Sequence, residues 1–282
     1  MIERLCVIGV GLIGGSLARA VREAGFCHEV VGAGRNPENL QTAVDLGVID
    51  RYETDLGKAV AGADMVLVSV PLGAMATVFN SISGHLAEHA VLTDAGSAKG
   101  GVIDAARQAF GHVPAHFVPG HPIAGTEQSG VEASFASLYR GRRVILTPLP
   151  ETDRHALDRV RDMWAAAGAE VTEMDPVHHD AVLAATSHLP HVLAFALVES
   201  LDRLSDDGEV FEYAAGGFRD FTRIASSDPV MWRDICLANG DASQLMIEHF
   251  VADLQELTTA IENRDGQQLL DIFMSAKAAR DR

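Results

Sequence analysis

Short β-branched runs alternate with helical stretches through the first half of the chain. The strand-like runs span residues 5–8, 30–31, 65–70, 91–93 and 144–146. The helical patterns span residues 15–24, 39–46 and 101–110. Such alternation is typical of βαβ units, whose parallel strands are covered on both faces by helices. We therefore expect a doubly wound parallel sheet, with a last strand near residues 170–172.

The pattern changes near residue 174. Beyond it, Ala- and Leu-rich segments have helical spacing and almost no strand signal. These segments span residues 177–204, 228–264 and 266–279. Clusters at 205–208 and 216–217 indicate turns between them. We expect an α/β domain over residues 1–174 and an all-α domain over 175–282, with the helical half as the self-association surface.

Charge and hydropathy exclude two classes of partner. The chain has 22 Lys and Arg against 39 Asp and Glu, a formal net charge of −17. A protein that follows nucleic acid or an anionic membrane needs a basic face, so neither partner is expected. The most apolar stretch, residues 181–201, contains His188, Pro190, His191 and Glu199. We interpret it as a buried helix rather than a membrane span.

The cysteines and the amino terminus indicate the compartment. Cys6, Cys27 and Cys236 are far apart and lack the spacing of a metal site. We interpret them as reduced thiols of a cytoplasmic protein. The amino terminus enters an apolar strand directly, without the charged leader and cleavage site of a secretion signal.

The segment Gly-Val-Gly-Leu-Ile-Gly at residues 9–14 follows the first strand and begins the first helix. Glycines at this spacing permit a tight turn and a close approach of the backbone to a pyrophosphate, which then lies at the positive helix terminus. The strand before it and the helix after it are the context that this motif requires. We therefore expect a Rossmann-type domain that binds a dinucleotide. The alternative is a tight turn alone.

The end of the second strand bears on which dinucleotide binds. Gly34 lies where an NAD site usually offers an acid to the ribose hydroxyls. Arg35 follows, and its planar guanidinium can bind a 2′-phosphate, although it can also be a solvated surface arginine. We expect NADP in preference to NAD. The residues predicted to bind the cofactor are Gly9, Gly11, Leu12, Ile13, Gly14, Arg35, Ser69 and Asp94.

Four further segments combine glycine or proline breaks with polar side chains: 94–99, 120–130, 186–191 and 216–223. The first follows a strand at the carboxyl edge of the sheet, where open α/β sheets bind ligands. The second is too rich in glycine and polar groups to be a core element, so we expect a loop. The third interrupts a helical stretch.

Structural interpretations compete with functional ones in these segments. A histidine beside a proline is often a hydrogen-bonded structural group, and Lys99 can pair with Asp94 or attract a phosphate. His188 and His191, with two histidines at 178–179, can suggest a metal site. However, a proline disrupts the helical face and no Cys or carboxylate lies at ligand spacing, so no metal is expected. The Gly-x-Ser-x-Gly elbow of a hydrolase is missing around Ser97.

Taken together, the segments His-Pro-Ile-Ala-Gly-Thr-Glu-Gln-Ser-Gly (121–130), Ser-His-Leu-Pro-His (187–191) and Phe-Thr-Arg-Ile-Ala (221–225) resemble one family. This family is the prephenate and arogenate (cyclohexadienyl) dehydrogenases of tyrosine biosynthesis. The resemblance runs from Gly9 to about residue 235. It implies a Rossmann domain followed by an all-α dimerisation domain, hence a homodimer. It also implies oxidative decarboxylation of prephenate to 4-hydroxyphenylpyruvate, or of arogenate to tyrosine, with NAD or NADP.

The resemblance also implies roles for individual residues. His121 is the expected base at the substrate hydroxyl, assisted by Ser97, because a neutral histidine accepts a proton near pH 7. Arg223 is the expected carboxylate binder. The remaining substrate-binding residues are expected to be His191, Thr126, Glu127 and His188. Because no appended regulatory domain is expected, tyrosine inhibition would act at or near the active site.

Two other functions compete with this interpretation. Dehydrogenases of the 3-hydroxyacid or 6-phosphogluconate type share the two-domain plan but rely on a lysine in the helical domain, where only Lys277 occurs. A catalytically silent NADPH sensor would retain the glycine motif. It would have no reason to combine His121, Ser97 and Arg223. The sequence does not distinguish prephenate from arogenate.

Overall fold

The computed structural model describes residues 1–126, 128–204 and 209–282, so Glu127 and the predicted turn at 205–208 lie outside the described residues. The strands are β1 (Ile2–Ile8), β2 (Cys27–Ala33), β3 (Arg51–Glu53), β4 (Met65–Val68), β5 (Val91–Asp94), β6 (Phe117–Val118), β7 (Gly120–Pro122), β8 (Arg143–Leu146) and β9 (Glu170–Glu173). The helices before residue 174 are α1 (Leu12–Glu23), α2 (Pro37–Asp45), α3 (Leu56–Val60), α4 (Met75–Ile82), α5 (Gly100–Phe110) and α6 (Arg154–Ala166).

Strands β1 to β6 form a parallel sheet in the order β3-β2-β1-β4-β5-β6. Alternate side chains of β1 enter two different cores: Leu5 and Val7 face one helical layer, whereas Cys6 and Ile8 face the other. Burial on both faces explains why these strands are continuous apolar runs. The doubly wound Rossmann-type sheet is confirmed. The order reverses between β1 and β4, where such sheets bind ligands.

Two predicted strands, at 144–146 and 170–172, do not extend this sheet. They form β8 and β9 of a second sheet, ordered β7-β8-β9, in which β7 and β8 are antiparallel. The described residues between β7 and β8 form no crossover helix, and the two strands run in opposite directions. The expectation of a loop at 120–130 was wrong at its start, because Gly120–Pro122 is a buried strand.

The described residues beyond 175 form helices and connecting turns, as predicted. The helices are α7 (Pro176–Leu183), α8 (Leu189–Leu204), α9 (Glu209–Glu212), α10 (Gly216–Thr222), α11 (Pro229–Ala238), α12 (Gly240–Glu262) and α13 (Gly266–Arg280). A π-helical turn, Ala184–His188, joins α7 to α8. The predicted interruption at 186–191 is therefore a widened turn, which accommodates the proline without ending the helix.

Two further boundaries differ from the prediction. The stretch 228–264 is broken at Asn239, whose backbone (φ −116, ψ 43) leaves the helical region. At this break the Asn239 side chain bonds to the Asp180 carbonyl oxygen and to the His188 ring. The pair 216–217, predicted as a turn, instead begins α10 after the extended residue Ala215.

The helical half leaves much apolar surface exposed. Leu237 is 75% exposed, Ile261 63% and Phe273 58%. Within the continuous helical segment Pro176–Asp202, the most apolar 18-residue stretch has a mean hydropathy of 1.7, and 22% of that stretch is buried. By length and composition alone it could cross a membrane. The expectation that this helical segment is buried is thus not met within one chain. The apolar faces of the segment can pack against another surface.

Candidate active site

The glycine motif forms a cradle between β1 and α1. Gly9 has φ +94, and a Cβ there would lie 2.5 Å from the Ser69 carbonyl oxygen. A Cβ on Gly14 would lie 2.4 Å from Ser69 Oγ, whereas a Cβ on Gly11 would meet no atom within 4 Å. Helix α1 begins at Leu12 with no side-chain cap and no acidic residue in its first turn. Its N–H groups are thus suited to a diphosphate, and the residues fit a dinucleotide.

Two of the predicted cofactor residues have other hydrogen-bond partners. Ser69 Oγ donates to the Gly9 carbonyl at 2.9 Å and so stabilises the glycine turn from β4. The Asp94 carboxylate is buried and accepts bonds from Gly96 N (2.7 Å), Gly120 N (3.1 Å) and Lys99 Nζ (2.6 Å). The prediction that Asp94 binds the cofactor therefore does not fit the structure, because its oxygens are already used inside the protein.

Lys99 is buried beneath the site. Its Nζ donates to Asp94 and to the Gly120 carbonyl, each at 2.6 Å. Burial lowers the pKa of Lys99, and the Asp94 carboxylate opposes that shift. Of the two interpretations considered for Lys99, the structure shows the pair with Asp94. That pair fixes the strand that carries His121.

His121 lies on β7 and faces α7 of the helical half. Its Nδ1 is 2.9 Å from Nε2 of His179, and His179 Nδ1 is 2.8 Å from Oδ1 of Asp180. Burial, followed by the neighbouring charges of Lys99, His179 and His188, lowers the pKa of His121 well below its ordinary 6.5. His121 is thus a neutral base at physiological pH.

Asp180 joins the two halves of the molecule. Burial would raise the pKa of its carboxyl group, but hydrogen bonds from His179 Nδ1 and from the N–H groups of Lys99 and Gly100 outweigh burial and lower it. The carboxylate also lies at the amino terminus of α5, where a negative charge is stabilised. His179 and Asp180 were not among the predicted site residues. The only sequence signal was the pair of histidines next to an acid.

His188, in the π-helical turn, has one bonded and one unbonded ring nitrogen. Asn239 Nδ2 lies 2.9 Å from the Asp180 carbonyl oxygen, which can only accept, and 3.1 Å from His188 Nδ1. Nδ1 of His188 is therefore the acceptor and Nε2 carries the hydrogen. That Nε2 is buried and has no hydrogen-bond partner among the described residues. Burial lowers the pKa of His188 to about 4.

Trp232 of α11 contacts the rings of both His188 and His191. The His191 ring stacks on Trp232, with ring centroids 3.6 Å apart and planes at 20°. The His188 ring meets Trp232 edge-on at 6.2 Å. His191 Nδ1 is 2.9 Å from the Ser187 carbonyl oxygen, and burial lowers its pKa. Trp232 was not predicted as a site residue.

Arg223 and Ser97, which were predicted to act on the substrate, lie in different parts of the fold. Arg223 begins a 3₁₀ turn after α10, is exposed, and its charge contributes to the lowered pKa of His191, which places it near that ring. Ser97 is half-buried in the β5–α5 loop between Asp94 and Lys99. Among residues 1–126, 128–204 and 209–282, no three potential ligands gather as a metal site requires.

Two other predicted residues lie at the surface. Thr126 is exposed, and its hydroxyl accepts a 3.2 Å bond from Gln128 N within its own loop. Arg35 is exposed at the end of β2, beside half-buried Gly34.

A dinucleotide cradle in the first half, and buried histidines (His121, His179 and His188) contributed by both halves, define a two-domain nucleotide-dependent dehydrogenase. Family models make this specific: residues 17–173 match the prephenate dehydrogenase nucleotide-binding domain, and residues 175–275 match the prephenate dehydrogenase dimerization domain. The chain belongs to the prephenate dehydrogenase family. The resemblance seen in the sequence is confirmed.

Named relatives align with nearly the whole length of this chain. Cyclohexadienyl dehydrogenase of Zymomonas mobilis is 38% identical, over 99% of this chain and 95% of the relative. Prephenate dehydrogenase of Bacillus subtilis is 35% identical, over 100% of this chain and 76% of the relative. The crystal structure of Aquifex aeolicus prephenate dehydrogenase with hydroxyphenyl propionate and NAD+ is 40% identical, with a TM-score of 0.92 and 99% and 98% coverage. This protein is an NAD(P)-dependent oxidoreductase that carries out oxidative decarboxylation in tyrosine biosynthesis.

Proposed function

We propose that His121 is the general base that removes the ring hydroxyl proton of prephenate, of arogenate, or of both. The observation that carries this role is the His121–His179 contact, which occupies Nδ1 and leaves Nε2 for the substrate. Burial keeps the imidazole neutral and ready to accept a proton. As His121 withdraws the hydroxyl proton, the ring carbon releases its hydride. The opposite carbon then loses carbon dioxide, and the remaining electron pair completes the aromatic ring.

A second set of side chains is suited to bind the carboxylates of the substrate. The unpartnered Nε2–H of His188 is a buried donor that a substrate oxygen can satisfy, which is a strong reason to assign it to substrate binding. His191, stacked on Trp232, and the Arg223 cation nearby complete a pocket suited to a dianion. Ser97 assists at the hydroxyl. Thr126 and Glu127 support the pocket in our assignment.

The glycine cradle would bind the cofactor through Gly9, Gly11, Leu12, Ile13 and Gly14. When bound, its nicotinamide accepts the hydride. NADP is the proposed preference, because Arg35 is exposed beside Gly34, where no acid repels a 2′-phosphate. The Aquifex aeolicus relative was crystallised with NAD+, so NAD is the alternative.

We further propose domains over residues 1–174 and 175–282 and a cytoplasmic homodimer. The exposed Leu237, Ile261 and Phe273 side chains favour a second copy as the occupant of the helical surface, and the matching family model describes a dimerization domain. Burying such apolar area stabilises a dimer. Tyrosine, which has the phenol ring of the product, would inhibit at the active site. Tyrosine bound only at a remote surface would refute that mode of inhibition.

The decisive experiment crosses prephenate and arogenate with NAD and NADP and follows nicotinamide reduction by the purified protein. We expect activity with at least one substrate and faster turnover with NADP. The most active combination identifies the substrate and cofactor. No turnover in all four assays, from folded protein that binds NADPH, would overturn the proposed function.

A further inference from the structure

The His121–His179 pair ends on the Asp180 carboxylate, which bonds to His179 on the side of that ring away from His121. Asp180 Oδ1 lies 2.8 Å from His179 Nδ1 and accepts the Lys99 N–H at 2.8 Å, while Oδ2 accepts the Gly100 N–H at 2.7 Å. Each carboxylate oxygen is therefore engaged by donors. An ionised carboxylate can only accept hydrogen bonds, so its partner nitrogen on His179 must carry a hydrogen.

His121, His179 and Asp180 form a row of hydrogen-bonded side chains. The Asp180 carboxylate at its end can only accept, and this determines the direction of both hydrogen bonds in the row. A neutral imidazole has one N–H and one lone pair, so Nδ1–H of His179 leaves its Nε2 as an acceptor. His121 must then donate from Nδ1, across the 2.9 Å contact. Its own lone pair is consequently on Nε2. Reversing this order would place a donor against the backbone donors of Lys99 and Gly100, or two lone pairs against each other.

We propose that Asp180 is a positioning residue for the reaction: acting through His179, it determines which ring nitrogen of His121 is free to accept the substrate proton. When His121 accepts that proton, the same row distributes the positive charge toward Asp180. Asp180 also bonds the first residues of α5 from α7. The tautomer of the base is thus correct only when the helical half is docked on the nucleotide-binding half.

The proposal rests on the base role assigned to His121, but the tautomer can be measured without substrate. Protein labelled with ¹⁵N-histidine gives separate shifts for protonated and unprotonated ring nitrogens. The His121 signals are identified by their loss in His121→Asn. We expect protonated Nδ1 and unprotonated Nε2 at His121. A protonated Nε2 in the wild-type protein would overturn the proposal, whereas failure of the base role would appear only as wild-type turnover in His121→Asn.

Variants test whether the effect passes through His179. Asp180→Asn removes the charge and forces one donor to face another, so we expect mixed His121 tautomers and a fall in kcat of roughly 10²-fold, with KM little changed. In a His179→Gln background, the amide oxygen can accept from His121 without Asp180. There, adding Asp180→Asn should lower kcat only about 2- to 3-fold further. An equal loss in both backgrounds would show that Asp180 is merely structural.

Asp234→Asn is the matched control. Asp234 is another buried carboxylate at this domain boundary, where it bonds Arg233 and lies against Gly73. It is outside the histidine row. We expect the His121 tautomer to be unchanged in this variant, and a changed tautomer would attribute the effect to domain docking in general.

Discussion

His121 and His179 belong to different halves of the molecule, yet their rings meet edge-on with centroids 5.1 Å apart and nitrogens 2.9 Å apart. One ring projects from strand β7 and the other from helix α7. The contact buries His121, the proposed base, between β7 and α7, and burial is the main reason that its pKa falls. Several consequences can be measured.

Replacing the base should impair chemistry rather than binding. We expect His121→Asn to lower kcat by about 10²–10⁴-fold while KM stays nearly unchanged, as for loss of a general base. Steady-state kinetics with the best substrate and cofactor measure both constants, and the melting temperature controls for folding. Wild-type turnover in this variant would refute the role.

The pH dependence should reflect the lowered pKa of His121. Because only the neutral ring accepts a proton, activity is lost as His121 becomes protonated. Burial and the charges of Lys99, His179 and His188 move that protonation below the ordinary 6.5. We therefore expect kcat/KM to stay level as the pH falls through 6.5 and to decline only at lower pH. A midpoint at or above 6.5 would contradict the buried, neutral base.

Arg223 should contribute to binding in the ground state and the transition state alike. We expect Arg223→Ala to raise KM for the substrate, with a smaller effect on kcat, because it removes the cation that we propose binds the substrate carboxylate. Arg223→Lys, which retains the charge but not the planar guanidinium, should give an intermediate KM. An unchanged KM in the alanine variant would exclude Arg223 as the carboxylate binder.

Substitutions at the end of β2 should change the preference for NADP over NAD. A Cβ added at Gly34 meets Leu40 carbons at 3.8 and 3.9 Å, which is ordinary contact, so Gly34→Asp should fold. Its carboxylate would repel the 2′-phosphate and accept the ribose hydroxyls of NAD. We expect kcat/KM to fall for NADP and rise for NAD. Arg35→Ala should weaken NADP alone. If neither variant changes the ratio, the proposed NADP preference loses its basis.

His188 should make the folded state sensitive to acid. Burial lowers its pKa from the ordinary 6.5 to about 4 in the folded protein, so the unfolded chain binds the proton first as the pH falls. The free energy of unfolding should therefore decrease between pH 6.5 and 4 by up to roughly 3 kcal/mol from this group. Urea titrations of wild type and His188→Gln measure it. Equal pH slopes in the two proteins would contradict the burial of a neutral ring.

Local patterns were enough to predict much of the architecture and part of the site. The glycine motif predicted the β1–α1 cradle because its backbone requirements lie within one turn. The motifs at 187–191 and 221–225 pointed to His188, His191 and Arg223, and the structure places them near one another. Short elements such as β3 and β6 were missed, because two or three residues give no periodicity. Asp94 was assigned to the cofactor because sequence shows that it follows a strand, but not that its carboxylate points inward to Lys99.

The alternation of strands and helices, the position of the dinucleotide cradle and the family can all be predicted from the amino-acid sequence, since they depend on residues close together in the chain. Which of the adjacent histidines at 178 and 179 faces inward, and that Asp180 bonds to it, became known only from the folded structure. His121 and His179 are 58 residues apart, and their contact requires β7 and α7 to pack against each other. No local pattern records that packing, because it depends on the buried surfaces of both domains at once.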